Sequence, residues 1–386
     1  MAVELKNFAS QVDEQTLNQA HMITRLPFVY PHVALMPDAH FGLGSSVGTV
    51  FGTVGAVLPA AVGVDIGCGM IGVRTQFHAR DLDGKDLRRL RDAIIDSIPL
   101  SPGNYNSKVG GGSAKRRVGE LEALAKKNGV DLSHSPKWRV QLGSLGGGNH
   151  FIELCLDESD AVWMFLHSGS RGVGNKIAQK YIWEAQNYCG KKNIELEHRD
   201  LAYLEEGTDA FAAYLRDLEW AQRFAWLNRE EMMDRLAARL GEFVGRPVEE
   251  VERINCHHNY TVPERHGGKD VWLTRKGAIR ADEGVKGLIP GSMGTASYVV
   301  EGLGNDDGLR SAPHGAGRRF SRNEAKRRFT EHDLDKRMKG IVYRPGKAWI
   351  DEIPDAYKDI DLVMEDAAPL VRVLHKLRQI VNVKGT

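Results

Sequence analysis

Gly63-Val64-Asp65-Ile66-Gly67-Cys68-Gly69 sets a carboxylate and a thiol three residues apart in a loop bounded by glycines. A cysteine between two glycines is poorly placed to pack as a core residue, yet it can present its sulfur to a cation. Asp65 offers a hard oxygen and Cys68 a soft thiolate, so one loop can supply part of a mixed-ligand metal site. The competing reading is a buried cysteine beside a turn-forming aspartate. The histidines weigh against it. His150 follows Gly146-Gly147-Gly148-Asn149, His167 lies in Phe165-Leu166-His167-Ser168-Gly169-Ser170-Arg171-Gly172, and His257-His258-Asn259 follows Asn255-Cys256. A further histidine opens His314-Gly315-Ala316-Gly317-Arg318, directly after Pro313.

Working outward, 386 residues can hold two or three ordinary domains. Candidate site residues are nevertheless spread from Asp38 to Lys384, which predicts one interwoven domain over 1–386. With 42% hydrophobic and 27% charged residues, the chain has the composition of a soluble globular protein. Its net charge of +1 does not by itself point to a polyanion. Cations do gather between Arg310 and Lys347, followed by an acidic stretch from Asp351 to Asp366, and such asymmetry can make a phosphate-tracking face or a solvated helix surface. Cys68, Cys155, Cys189 and Cys256 show no disulfide framework, and Cys155 and Cys189 read as core. Met1 to Lys6 begins no signal peptide, and the glycines, threonines and Pro59 between Val47 and Val64 suit strands better than a membrane helix. The expectation is a reduced, cytoplasmic protein with no membrane partner.

Periodicity predicts an α+β fold. Val47 to Thr53 reads as a tightly packed strand, Leu82 to Ile98 and Ala114 to Asn128 as helices, and Val162 to Leu166 as a buried strand ending at His167. From about 174 to 245 the chain reads as a mostly helical insertion, with Thr208 or Asp209 as a cap and Phe211, Tyr214, Leu215 and Leu218 on one stripe. Trp220, Phe224 and Trp226 read as packing. Leu288 to Tyr298 reads as a phosphate-friendly loop entering a helix.

Asp65, Cys68, His150, His167 and one of the adjacent His257 and His258 offer one oxygen, one sulfur and three nitrogens, a set that can serve two neighbouring cations because a thiolate can bridge. Ligand softness alone favours zinc. Around His314, glycines let the backbone approach a phosphate, and successive amides can form an anion-binding nest. A neutral imidazole is a competent nucleophile toward phosphorus; a further metal ligand or a turn histidine are the other roles open to it. The chain has no G-x-x-x-x-G-K-[ST] phosphate loop and no Lys-x-Asp-Gly motif.

These segments resemble the RtcB family of RNA-splicing ligases. The resemblance runs from Met36-Pro37-Asp38-Ala39-His40 to Val381-Asn382-Val383-Lys384-Gly385, through the Asp65–Cys68 loop, Gly146 to Glu153, Cys256 to Tyr260, Pro290 to Gly294 and Ala312 to Gly317. It implies mixed sheets wrapped by helices around a central metal and nucleotide cleft. It implies two manganese ions held by Asp65, Cys68, His150, His167 and His258 with Cys68 bridging; His258 is chosen over His257 because the family's ligand immediately precedes an asparagine. It implies that His314 attacks the α-phosphorus of GTP. The guanylate contacts it implies are Asn149, His150, Phe151, Ile152, Glu153, His258, Asn259, Pro290, Gly291, Ser292, Met293, Ser297, His314, Gly315, Ala316, Gly317 and Lys384. Glu153 can accept from guanine N1–H and N2–H, and Lys384 can donate to O6 or N7. Asp38 and His40 fall in a matching motif with their roles open, and Leu43 stands where some members carry lysine.

The expected function is GTP- and Mn²⁺-dependent ligation of RNA 3′-phosphate or 2′,3′-cyclic phosphate ends to 5′-hydroxyl ends, in RNA repair or tRNA splicing. The steps implied are opening of the cyclic phosphate, guanylylation of His314, transfer of GMP to the RNA 3′-phosphate, and attack by the 5′-hydroxyl. An archease-type activator is a further expected partner. The alternatives are a metal-dependent cyclic phosphodiesterase that does not ligate, which needs neither His314 nor Lys384, and a non-enzymatic RNA-binding protein.

Overall fold

Unbroken apolar runs such as Phe151–Leu156 and Ala161–Ser168 can be satisfied only where a strand is covered on both faces. In the computed structural model, which describes residues 2–385, both strands are buried along their whole length. They occupy the middle of a seven-stranded sheet in the order Lys286–Ile289, Ser297–Gly302, Val371–Lys384, Phe151–Leu156, Ala161–Ser168, Gly69–His78, Glu250–His257. All its neighbouring strands run antiparallel. The side-chain period of two divides the core: Phe151, Cys155, Trp163 and Phe165 enter one apolar cluster, and Ile152, Leu154, Met164 and Leu166 enter another.

A second sheet orders Leu5–Asn7, Val29–His40, Val47–Thr53, Lys269–Lys276 and Asn259–His266. Glu250–His257 ends the first sheet and Asn259–His266 begins the second, so His258 sits at the step between them. Two short pairings complete the strands described, Ala278–Arg280 with Ser311–Pro313 and Ala56–Val57 with Leu204–Glu205.

The register gathers distant motifs at one end of the larger sheet. Met70 and Phe151 both pair with His167, Gly69 pairs with Ser168 and His257, and Lys384 pairs with Phe151. Asp65, Cys68, His150, His167 and His258 therefore arrive together although some 190 residues of chain separate the first from the last. Gly69 makes the crossing possible, since a Cβ there would collide with the Cys256 carbonyl.

Helices cover the far face of this sheet. Asp209–Val244 runs 36 residues, with the Thr208 hydroxyl accepting from the Phe211 N–H and Gly245 closing it in a left-handed conformation at φ 97°. Phe211, Tyr214, Leu218, Trp220 and Phe224 are buried along it, against Arg171–Lys191 and Trp138. Cys155 and Cys189 are likewise buried. Among the described residues no helix is long and apolar enough to cross a membrane.

Two predicted elements differ. The helix expected from Leu82 starts at Leu87, because Gly84 takes a positive φ of 72° and Asp86 caps the first turn through the Arg88 N–H. The segment from Leu288 to Tyr298 enters a strand and not a helix. Residues 290–296 turn back between Lys286–Ile289 and Ser297–Gly302, where the β-branched Val299 and Val300 pack in the apolar cluster and the strand pairs with Val371–Lys384.

Candidate functional site

At the gathered sheet end, Cys68 Sγ lies 3.3 Å from His150 Nε2 and 3.2 Å from His167 Nε2. His167 Nε2 is 3.0 Å from His258 Nε2, and Asp65 Oδ2 is 3.0 Å from His150 Nε2. Suitable ligand atoms of Cys68, His150 and His167 all fall within 4.8 Å of one another. His257 points elsewhere, its Nδ1 2.8 Å from the Gly67 carbonyl.

Outer contacts set which nitrogen each ring turns inward. The His167 Nδ1–H donates to the Asn149 carbonyl at 3.0 Å, and the His258 Nδ1–H donates to Asn259 Oδ1 at 3.2 Å. Asn259 is itself oriented, its Oδ1 accepting from the Gly277 N–H and its Nδ2 donating to the Asp65 carbonyl. Both Nε2 lone pairs then face each other beside a sulfur, an arrangement that repels itself until a cation lies between. Burial, with neighbouring imidazoles, pushes His167 and His258 well below the usual histidine range, so both rings are neutral, the form that can ligate a cation. Burial and then the Asp65 charge push the Cys68 thiol up; a bound cation reverses that. Burial opposes ionisation of Asp65, yet contact with His150 holds its carboxyl below the usual range. These residues fit a metal centre. Arg229, fully buried in the long helix, braces it by donating to the Gly67 and Ser168 carbonyls at 2.8 and 3.0 Å and to Asn255.

His314 faces this cluster, its ring centroid 4.5 Å from that of His258. Its Nδ1 stands 2.6 Å from Asp38 Oδ2, and the same carboxylate accepts the backbone N–H groups of His314 and Gly315 at 3.1 Å each. Asp38 thus fixes the turn that carries His314 and sets its carboxylate beside Nδ1 of the ring. Gly317, at φ 74°, lies so close to the Asp38 carbonyl that a Cβ would collide with it.

Beside His314 opens a cleft that is partly continuous with solvent. Asn149, Phe151, Glu153, Pro290 to Met293, His314 to Gly317 and Lys384 line it, as does His40. The 290–295 turn is held by Gln379, whose amide donates to the Ser292 and Thr295 carbonyls. Other expected contacts fall outside the lining. Ile152 points to the opposite face of its strand into the core, Ser297 is buried at the start of its strand, and His150, His258 and Asn259 belong to the cation cluster.

The cleft floor holds side chains that motifs did not reveal. Lys384 donates to Glu352 at 2.7 Å, Arg322 pairs with Glu352 and Asp351, and Arg318 reaches Glu352 at 3.4 Å across the Tyr357 ring. Burial opposes charge on Glu352, but Lys384, Arg322 and Arg318 hold it down at about 2. Arg318 directly follows the glycine turn and could have been read as a phosphate cation; nothing around Glu352 marks it.

Glu153 is different. Burial lifts it to about 8 from an ordinary 4.5, although Lys384 and an Asn382 N–H at 2.7 Å favour the charged form. Its folded pKa is raised, so the native protein binds more protons than the unfolded chain between about 4.5 and 8, and stability falls as pH rises through that window. Glu153→Gln is therefore expected to flatten the melting temperature against pH there and to melt higher than the parent above pH 8. Each tenfold difference in proton affinity between the folded and unfolded chain is worth about 1.4 kcal/mol, which in a chain of this length moves the melt by roughly 2 degrees; parallel profiles in calorimetry refute the buried acid.

Comparison with known proteins adds to this geometry. A family model described as tRNA-splicing ligase RtcB matches residues 19–385. The RNA-splicing ligase RtcB of Escherichia coli (strain K12) is 44% identical over 390 positions, covering 96% of this chain and 93% of that protein. The tRNA-splicing ligases RtcB of Pyrobaculum aerophilum and Thermococcus kodakarensis are 30% and 29% identical, covering 92% and 96% of this chain and 87% and 91% of theirs.

Proposed function

This chain belongs to the RtcB family, and from that premise we propose that it is a GTP-dependent RNA ligase sealing 3′-phosphate or 2′,3′-cyclic phosphate ends to 5′-hydroxyl ends. The observation that carries the reading is His314, its Nδ1 2.6 Å from Asp38, set between the Cys68–histidine cluster and the cleft that Glu153, Met293 and Lys384 line.

With Nδ1 engaged by Asp38, His314 Nε2 attacks the α-phosphorus of GTP, a P–N bond forms and pyrophosphate leaves. Amides of the 315–317 turn receive the phosphate. An oxygen of the RNA 3′-phosphate then attacks the same phosphorus and frees His314. The 5′-hydroxyl attacks the activated RNA phosphate, the new phosphodiester forms and GMP departs. Asp65, Cys68, His150, His167 and His258 would hold the two manganese ions, which supply charge stabilisation and orientation of phosphates. Glu153 and Lys384 are assigned to the guanine edge, where the N1–H and N2–H donors would favour the Glu153 carboxylate that burial otherwise keeps protonated. The whole chain is read as one catalytic domain, with about 174–245 inserted, working in the reducing cytoplasm where Cys68 stays a thiol.

A cyclic phosphodiesterase would need the cation cluster alone and has no use for an Asp38–His314 pair on a glycine turn. Incubation with α-labelled GTP and manganese, then denaturing electrophoresis, is expected to leave label on the protein and to chase it into RNA bearing a 3′-phosphate. Protein that binds metal and opens cyclic phosphates without retaining label defeats the ligase reading. Runs with and without an archease-type activator decide whether the chain is self-sufficient.

A further inference from the structure

The strand Val29–His40 delivers His40 to the cleft, 6.5 Å between ring centroids from His314, and the chain then enters a loop, Phe41 to Ser46. That loop is fastened from beneath. The Gln19 amide donates to the Gly42 carbonyl at 2.6 Å and accepts the Gly42 N–H at 3.2 Å. Lys276, buried, donates to the carbonyls of Leu43 and Ser45, the second at 2.7 Å. Lys358 holds the Ala39 carbonyl at 2.6 Å just upstream. Gly44, at φ 82°, lies flush on Ala60 with no room for a Cβ.

A buried ammonium is a costly way to hold a loop, and this loop displays its large apolar side chains outward. Phe41 is 57% exposed and Leu43 76%. Val64, next to the candidate cation ligand Asp65, adds a third at 36%, and its neighbour Gly63 rests against the same lysine, 3.6 Å from Cε to the position of a Cβ. Clamped in this way, the loop presents Phe41 as a fixed apolar surface one residue beyond His40, which lines the cleft. An RNA end brought to His314 carries its terminal base one nucleotide step from the reacting phosphate. A flat π face meeting an aromatic ring is what such a surface accommodates, with little dependence on base identity.

We propose that Phe41, flanked by Leu43 and Val64, stacks on an unpaired terminal nucleobase and holds the RNA end at the cleft. This rests on the RNA-ligase reading above. In the test, short single-stranded RNAs with a 3′-phosphate, or with a 5′-hydroxyl, are titrated against the parent and Phe41→Ala, each RNA carrying either a normal or an abasic terminal nucleotide. Phe41→Ala is expected to weaken binding of the base-bearing RNA about tenfold and to leave the abasic RNA unchanged. Phe41→Trp should restore binding, and the end that responds identifies the strand. Labelling by GTP without RNA should match the parent. Equal binding of base-bearing RNA by both proteins overturns the proposal, as does an equal loss on abasic RNA. A defect seen only when an activating protein is added also overturns it, and marks the loop as a protein dock. A parent that binds but never ligates refutes the ligase reading instead, while the base-dependent comparison still decides Phe41.

Discussion

Cys68→Ala is expected to lose bound metal and to form neither covalent guanylate nor sealed RNA while remaining folded. The sulfur is the centre of its cluster, 3.3 and 3.2 Å from the Nε2 atoms of His150 and His167, and no other soft donor lies among the suitable ligand atoms grouped there. Two cations close enough to share a phosphate repel each other, and a bridging thiolate offsets that repulsion in a way no pair of imidazoles can. Folding is a separate matter. The alanine removes one buried sulfur, a change of roughly 1–2 kcal/mol, and Arg229 still ties the Gly67 and Ser168 carbonyls together. The measurement pairs metal content after dialysis with a thermal melt and GTP labelling. Manganese-dependent ligation at the parental rate would remove Cys68 from the site.

The cluster was legible because each of its residues sits in its own short motif. Cys68 between two glycines, His150 after a glycine run and His167 before Ser-Gly-Ser each break the pattern of the strand they border. What local pattern cannot carry is register. Nothing in Met70 or Phe151 announces that both pair with His167, and that pairing is what makes the motifs one site. The same limit hid Asp38, whose motif stood out but whose partner lies 276 positions away. The turn after Ile289 misled for another reason: a glycine-rich phosphate loop commonly leads into a helix, but sheet pairing of Val299 and Val300 prevailed.

Charge was the hardest property to read. The cations from Arg310 and the acids from Asp351 read as an asymmetry that could make a phosphate-tracking face or a solvated helix surface. In space they interlock, with Arg318, Arg322 and Lys326 meeting Asp351 or Glu352, and Arg337 meeting Asp355. Lys384, which the sequence leaves at an apparent chain end, lies in a fourteen-residue strand and pairs with Glu352. Part of the basic stretch is therefore neutralised from within, although Arg318, Arg322, Lys326 and Lys384 still outnumber Asp351 and Glu352, so the floor keeps an excess of positive charge. Buried pairs of this kind hold geometry, because removing either partner strands a charge. That suits a floor against which a base must lie in one orientation.

His314→Ala separates the proposed nucleophile from the proposed cation ligands. It should retain its metal, bind RNA and keep its melting temperature within a few degrees, yet carry no guanylate label and seal no 3′-phosphate ends. Loss of a covalent nucleophile costs on the order of 10⁴-fold or more in rate. Stability survives because Asp38 keeps the backbone N–H donors of residues 314 and 315 when the imidazole is gone, so its carboxylate is not stranded. Metal survives because Asp65, Cys68, His150, His167 and His258 meet one another without His314. RNA whose 3′-phosphate already carries guanylate should be sealed by the variant at near the parental rate, since the remaining displacement needs only positioned ends and charge stabilisation. Label retained on His314→Ala would assign the nucleophile to another residue. Failure with the pre-activated end, metal still bound, would mean that the imidazole 4.5 Å from His258 also acts when the 5′-hydroxyl attacks.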